Sequence, residues 1–107
     1  MRTLKFIVNG QIIQPDPKCD FTNIVPGTEG YIRAEFTFSP EWDNLVKVAA
    51  FYSNLGVEYR PQVLKDGKTC LIPPDALQKR IFKVRVMGQN SSYRLVTNKL
   101  AVDQRGG

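Results

Sequence analysis

Two stretches of the chain alternate apolar and polar residues with period two. In Tyr31 to Phe38, Ile32, Ala34, Phe36 and Phe38 fall on one side, with Arg33, Glu35 and Thr37 on the other. In Ile81 to Met87, Phe82, Val84 and Val86 oppose Lys83 and Arg85. Period two marks a strand with one face on a core and one in water. Leu4 to Val8 reads as a first strand, and Asn9-Gly10, a dipeptide suited to a two-residue hairpin turn, leads into a returning Gln11-Ile12-Ile13. Pro15 and Pro17 end that strand, because neither donates to a ladder. Val46 to Tyr52 is a strand with Val46, Val48 and Ala50 inward, followed by a turn over Asn54 to Gly56. Val57 to Leu64 returns, interrupted by Pro61 at an edge or bulge. Asp66-Gly67 is a second hairpin signal, leading to a strand over Thr69 to Ile72.

Between strands, residues 14–30 form a long polar connection in which Phe21, Ile24 and Val25 supply the anchoring. Ser39-Pro40-Glu41-Trp42 combines a cap residue, a Pro for the first helical position and an acid for the first turn. It predicts one short helical turn carrying Trp42 and Leu45 onto the end of the core. Pro73 to Leu77 predicts another, with Leu77 as a plug. Gly88 to Ser92 reads as a polar turn. Tyr93 to Thr97 and Leu100 to Val102 close the fold as one bent strand. The sum is about eight short strands with one or two short helical turns and no long amphipathic helix. It predicts an all-β, antiparallel two-sheet sandwich, immunoglobulin-like, over residues 1–103, with 104–107 as a frayed C-terminal tail. A small closed barrel is the alternative.

At 107 residues the chain fits one domain. It contains no His, which removes the usual base of acid–base catalysis and the usual nitrogen ligand of zinc. Glu41 and Asp43 flank Trp42 as a carboxylate pair, but helix-turn and loop roles explain both. No Gly-rich phosphate loop and no calcium-loop spacing occurs, so neither a cofactor nor a metal is expected. Cys19 and Cys70 are too few for a disulfide scaffold and fit no metal spacing, so two idle thiols are expected, with a disulfide as the alternative. Tyr31, Phe51, Tyr52, Tyr59 and Tyr93 are read as packing residues rather than a stacking platform. No apolar run nears the roughly 20 residues that cross a bilayer, and Met1 to Gly10 is too polar for a signal-peptide core. The expectation is a protein without membrane contact.

Charge adds an asymmetry. Residues 1–78 hold 8 basic and 9 acidic side chains, whereas residues 79–107 hold 7 basic and one acidic, so the net charge of +5 lies in the last quarter. Lys83 and Arg85 project from one face of their strand, Lys79 and Arg80 enter it, and an outward Arg94 on a neighbouring strand would complete a positive stripe. Lys79, Arg80, Lys83, Arg85 and Arg94 are thus the candidate partner-binding residues. Such a stripe suits a solvated surface, an acidic protein face or nucleic acid.

Several segments, in order, carry a resemblance. These are Ala34 to Phe38, Glu41 to Phe51, Asp66 to Leu77, Phe82 to Gly88 and Arg94 to Lys99. The pattern is a Trp-Asp turn before a strand, a Gly-x-x-Cys-x-Ile-Pro segment ending in Leu77, a strand ending in Gly88, and a closing Arg-x-x-Thr-Asn strand. It resembles a small β-sandwich domain of phages of Gram-positive bacteria, found in virion proteins and at the N-terminus of baseplate upper proteins. The resemblance covers roughly residues 30–102. It implies a non-enzymatic head or tail accessory protein in the virion or host cytoplasm, with other phage or host proteins as partners. A stand-alone inhibitor of a host defence nuclease, anti-CRISPR-like, and a nucleic-acid-binding module using the basic face are the alternatives.

Overall fold

The computed structural model is described for residues 1–104. Strand β1 (Arg2–Asn9) and β2 (Ile12–Pro15) form the first hairpin. Asn9 pairs with Ile12, so the turn is Gly10-Gln11, and Asn9 belongs to the ladder rather than to the turn. Gly10 alone of the two takes a left-handed φ, 59°, as hairpins with Gly at the first turn position do. Pro15 is the last residue of β2 and still pairs, opposite Phe6. That is tolerated because β2 is an edge.

Strand β3 (Ile32–Phe38) lies beside β1 and runs parallel to it, from Arg2 opposite Ile32 to Val8 opposite Phe38. This one parallel pair is an exception to the expected antiparallel plan. It is possible because residues 16–31 carry the chain back to the start of β1. Ile24 is buried on that path and the Phe21 ring meets Phe6 edge-on at 5.4 Å, but Val25 is two-thirds exposed and anchors nothing. The Arg2 guanidinium replaces it, donating to the carbonyls of Asp20, Thr22 and Asn23.

A 3-10 turn, Pro40–Trp42, leads to β4 (Val46–Ser53), and β5 (Gln62–Val63) pairs with it. The Ser39 side chain makes no cap bond; its hydroxyl accepts the Gly10 N–H at 2.9 Å and ties the turn to the first hairpin. Asp66 and Gly67 both take left-handed φ, 54° and 68°, turning the chain into β6 (Thr69–Leu71). A second 3-10 turn, Pro74–Leu77, buries Leu77 as expected and leads to β7 (Ile81–Gln89). Strands β8 (Arg94–Val96) and β9 (Leu100–Asp103) both pair along β7.

These nine strands form two sheets, β2-β1-β3-β6 and β5-β4-β7 with β8 and β9 beyond. The fold is an all-β sandwich, with the two sheets packed around one core. Phe6 and Phe36 stack at 5.2 Å inside the smaller sheet, and Phe51, Phe82, Val84 and Val86 fill the facing side. Burying each such side chain contributes roughly 1.5–3 kcal/mol. Trp42 closes one end, fully buried, with its indole N–H donating to the Gly10 carbonyl at 2.7 Å.

Three further expectations are corrected. Gly88 is not a turn residue but an inward position of β7, where a Cβ would stand 2.8 Å from two ring carbons of Trp42. In β4 the residues of the core cluster are Ala49 and Phe51, not Val46 and Val48; Ala50 is fully buried as expected but lies outside that cluster. That run is apolar at both parities, and Lys47, which looks outward by charge, lies on the core side with its ammonium over the Phe38 ring at 5.3 Å. Gln104 is not frayed: it is buried, and its amide donates to the carbonyls of Ala76 and Lys79. Residues 105–107 of the expected tail lie outside the described residues.

Candidate functional site

The reversed parity of β4 turns a row of apolar residues outward on the larger sheet. Register places Val63, Val48, Met87 and Val96 opposite one another on β5, β4, β7 and β8. Directly opposed residues share a face, so these four form one apolar rung across the sheet. Val63 is 69% exposed, and Val46, one rung further along β4, is 68% exposed. Val46 stands opposite Gln89, which stands opposite Arg94. On the other side of the apolar rung come Ala50 opposite Arg85, and then Tyr52 opposite Lys83, itself opposite Ala101. A shallow depression of about 770 Å³ follows this face, lined by Val46, Val48, Pro61, Met87, Arg85 and Arg94 among others.

Of the five candidate basic residues, the fold brings Lys83, Arg85 and Arg94 onto this face. Arg94 reaches back to the Met87 sulfur at 3.6 Å. Lys79 and Arg80 sit apart, at the entry to β7. Arg80 pairs with Asp103 at 3.2 Å, and the two basic residues line a separate hollow of about 520 Å³ with Leu55, Val57 and Tyr59. Lys99, in the connection between β8 and β9, belongs with the face: its ammonium lies 4.2 Å from the centre of the Tyr52 ring, and the Arg85 guanidinium lies 5.6 Å from it. The break at Thr97-Asn98 resets the alternation and hides Lys99 from a count by twos. There the Thr97 hydroxyl accepts the Val86 N–H, and Asn98 accepts the Ile13 N–H from the other sheet.

Tyr52 is 3% exposed, and burial raises its phenol above the ordinary value of 10.0. Arg85 opposes that shift and Glu58 adds to it. Both groups lie beside the buried Tyr52 hydroxyl, and the Arg85 Nε is buried with it. Of the other aromatic residues, Phe51 is buried, Tyr59 packs against the core, and Tyr31 and Tyr93 are exposed. The Tyr93 hydroxyl donates to the Glu41 carbonyl at 2.5 Å.

The remaining chemistry-bearing groups lie elsewhere. The Glu41 carboxylate is held below its ordinary range by its own backbone N–H and the Ser39 hydroxyl, on the exposed side of the Trp42 turn. Cys19 and Cys70 are both free, and burial pushes the Cys70 thiol up to about 12. Among the described residues no group of three or more His, Cys, Asp or Glu side chains could hold a metal ion, and no helix is long and apolar enough to cross a membrane. No family model matches the chain, and no curated protein matches it.

Proposed function

We propose that the chain is a non-enzymatic protein that acts by protein–protein contact through the outer face of its larger sheet. The observation that carries this reading is the apolar rung Val63–Val48–Met87–Val96, exposed at Val63 and rimmed by Lys83, Arg85, Arg94 and Lys99. An exposed apolar strip with a polar rim is the build of a contact surface. A groove that tracks phosphates keeps cations along its path, and here the rung interrupts them. The absence of His from the sequence supports a role without acid–base chemistry. The resemblance over residues 30–102 supports a place for the protein as a head or tail accessory of a phage particle.

Val63→Asp tests the contact surface, because it places a charge on the rung at an exposed position. With the tagged chain as bait in nuclease-treated lysate of infected cells, the wild type captures a virion protein and Val63→Asp loses it. Capture that is unchanged by Val63→Asp overturns the assignment of the face. Capture of a host nuclease instead, or loss of capture after nuclease treatment, overturns the virion role.

A further inference from the structure

The cations beside the apolar rung form a cluster of their own. Lys99 and Arg85 both lie over the Tyr52 ring, at 4.2 and 5.6 Å from its centre. Their charges therefore lie within a screening length of each other, about 10 Å at 0.1 M salt. Lys83 stands directly opposite Tyr52 on the same face. A nearby acid is Glu58, bridged to Tyr52 through the backbone. Asp103, two residues from Ala101 on β9, is engaged by Arg80. Among the described residues Lys83, Arg85 and Lys99 outnumber the neighbouring acids Glu58 and Asp103, and like charges this close repel.

We propose that Arg85 and Lys99, over the Tyr52 ring, together with Lys83 opposite Tyr52 on β7, bind a carboxylate side chain of the docked protein. The inference rests on the docking face described above and names the chemistry of its partner. Arg85 and Met87 are two positions apart on one face of β7, a separation of about 7 Å. An extended partner segment matches that spacing when an acidic residue and an apolar residue stand at i and i+2, the acid on the cations and the apolar side chain on the rung. A second copy that met this cluster with its own would bring cations onto cations.

The test uses the full chain and a synthetic peptide repeating Glu-Ser-Val-Ser, followed by amide chemical shifts. A peptide with Lys in place of Glu and a thymidine oligonucleotide serve as comparisons. The Glu peptide shifts the amides around Tyr52, Arg85 and Met87, and the Lys peptide does not. Lys99→Gln and Lys83→Gln, both on solvent-facing side chains, each weaken binding about tenfold, and Lys18→Gln in the distant loop leaves it unchanged. Equal affinity in Lys99→Gln, shifts confined to another surface, or tighter binding of the oligonucleotide than of the peptide overturns the proposal. The two readings fail separately. Peptide binding that needs Lys99, together with partner capture indifferent to Val63→Asp, sinks the docking face alone. Capture that needs Val63 but not Lys99 sinks the carboxylate site alone.

Discussion

Gly88 is a glycine for want of space rather than for backbone freedom. A Cβ there would stand 2.8 Å from the Trp42 ring and 2.9 Å from a Leu45 methyl, and the indole is held in place by its bond to the Gly10 carbonyl. Gly88→Ala is therefore expected to lower stability by about 1–3 kcal/mol through overpacking, read as a lower urea midpoint. Cys70 makes a second residue-scale prediction. Its thiol titrates at about 12 in the fold against an ordinary 9.0. Above pH 9 the unfolded chain releases this proton while the folded chain keeps it, so folding stability falls as pH rises through that window. The loss is at most about 1.4 kcal/mol per pH unit. The raised Tyr52 phenol adds a loss of the same sign above pH 10.0. Urea midpoints taken from neutral to alkaline pH should fall in the wild type and fall less steeply in Cys70→Ala. A parallel decline in the two proteins would show that the thiol is not the group responsible.

Among the elements, β2 is an edge whose exposed side has been closed. Asn98 accepts the Ile13 N–H at 2.9 Å and donates its own backbone N–H to the Gln11 carbonyl, while Pro15 has no N–H to offer. Asn98→Ala is expected to cost about 1–3 kcal/mol and to speed hydrogen exchange at Ile13. It should also raise light scattering, because the reopened edge can pair with another chain. Exchange at Ile13 as slow as in the wild type would refute this role for Asn98. The elements themselves were largely legible. The alternation in Ile32–Phe38 and Ile81–Gln89 located β3 and β7, and Asp66-Gly67 located its turn by the left-handed φ both residues adopt. Pairing was less legible. Nothing local to Arg2–Asn9 shows that β1 lies parallel to β3, since that depends on where a long loop returns the chain. Gln104 was misjudged because a polar residue near the end of a chain looks solvated, whereas the carbonyls that hold it come from residues 76 and 79.

On the scale of the whole molecule, the two sheets have different outer surfaces, and the larger one carries the candidate face. Half of that face was readable beforehand. Lys83 and Arg85 point outward because their neighbours Phe82, Val84 and Val86 point inward, and the fold agrees. Its apolar half was hidden, because Val46 and Val48 in an almost wholly apolar run are natural candidates for the core, and it takes the inward Ala49 and Phe51 and the Lys47 ammonium over Phe38 to decide against them. Lys79 and Arg80 were grouped with the others by nearness in sequence, yet one turn of path before β7 is enough to carry them to a different hollow. Trp42, last, has a practical consequence. It is the sole tryptophan in the chain, and its indole touches the first hairpin on one side and β7 on the other. The protein thus carries its own optical gauge at the seam, and light emitted by that ring reports, without any label, whether the halves are still joined.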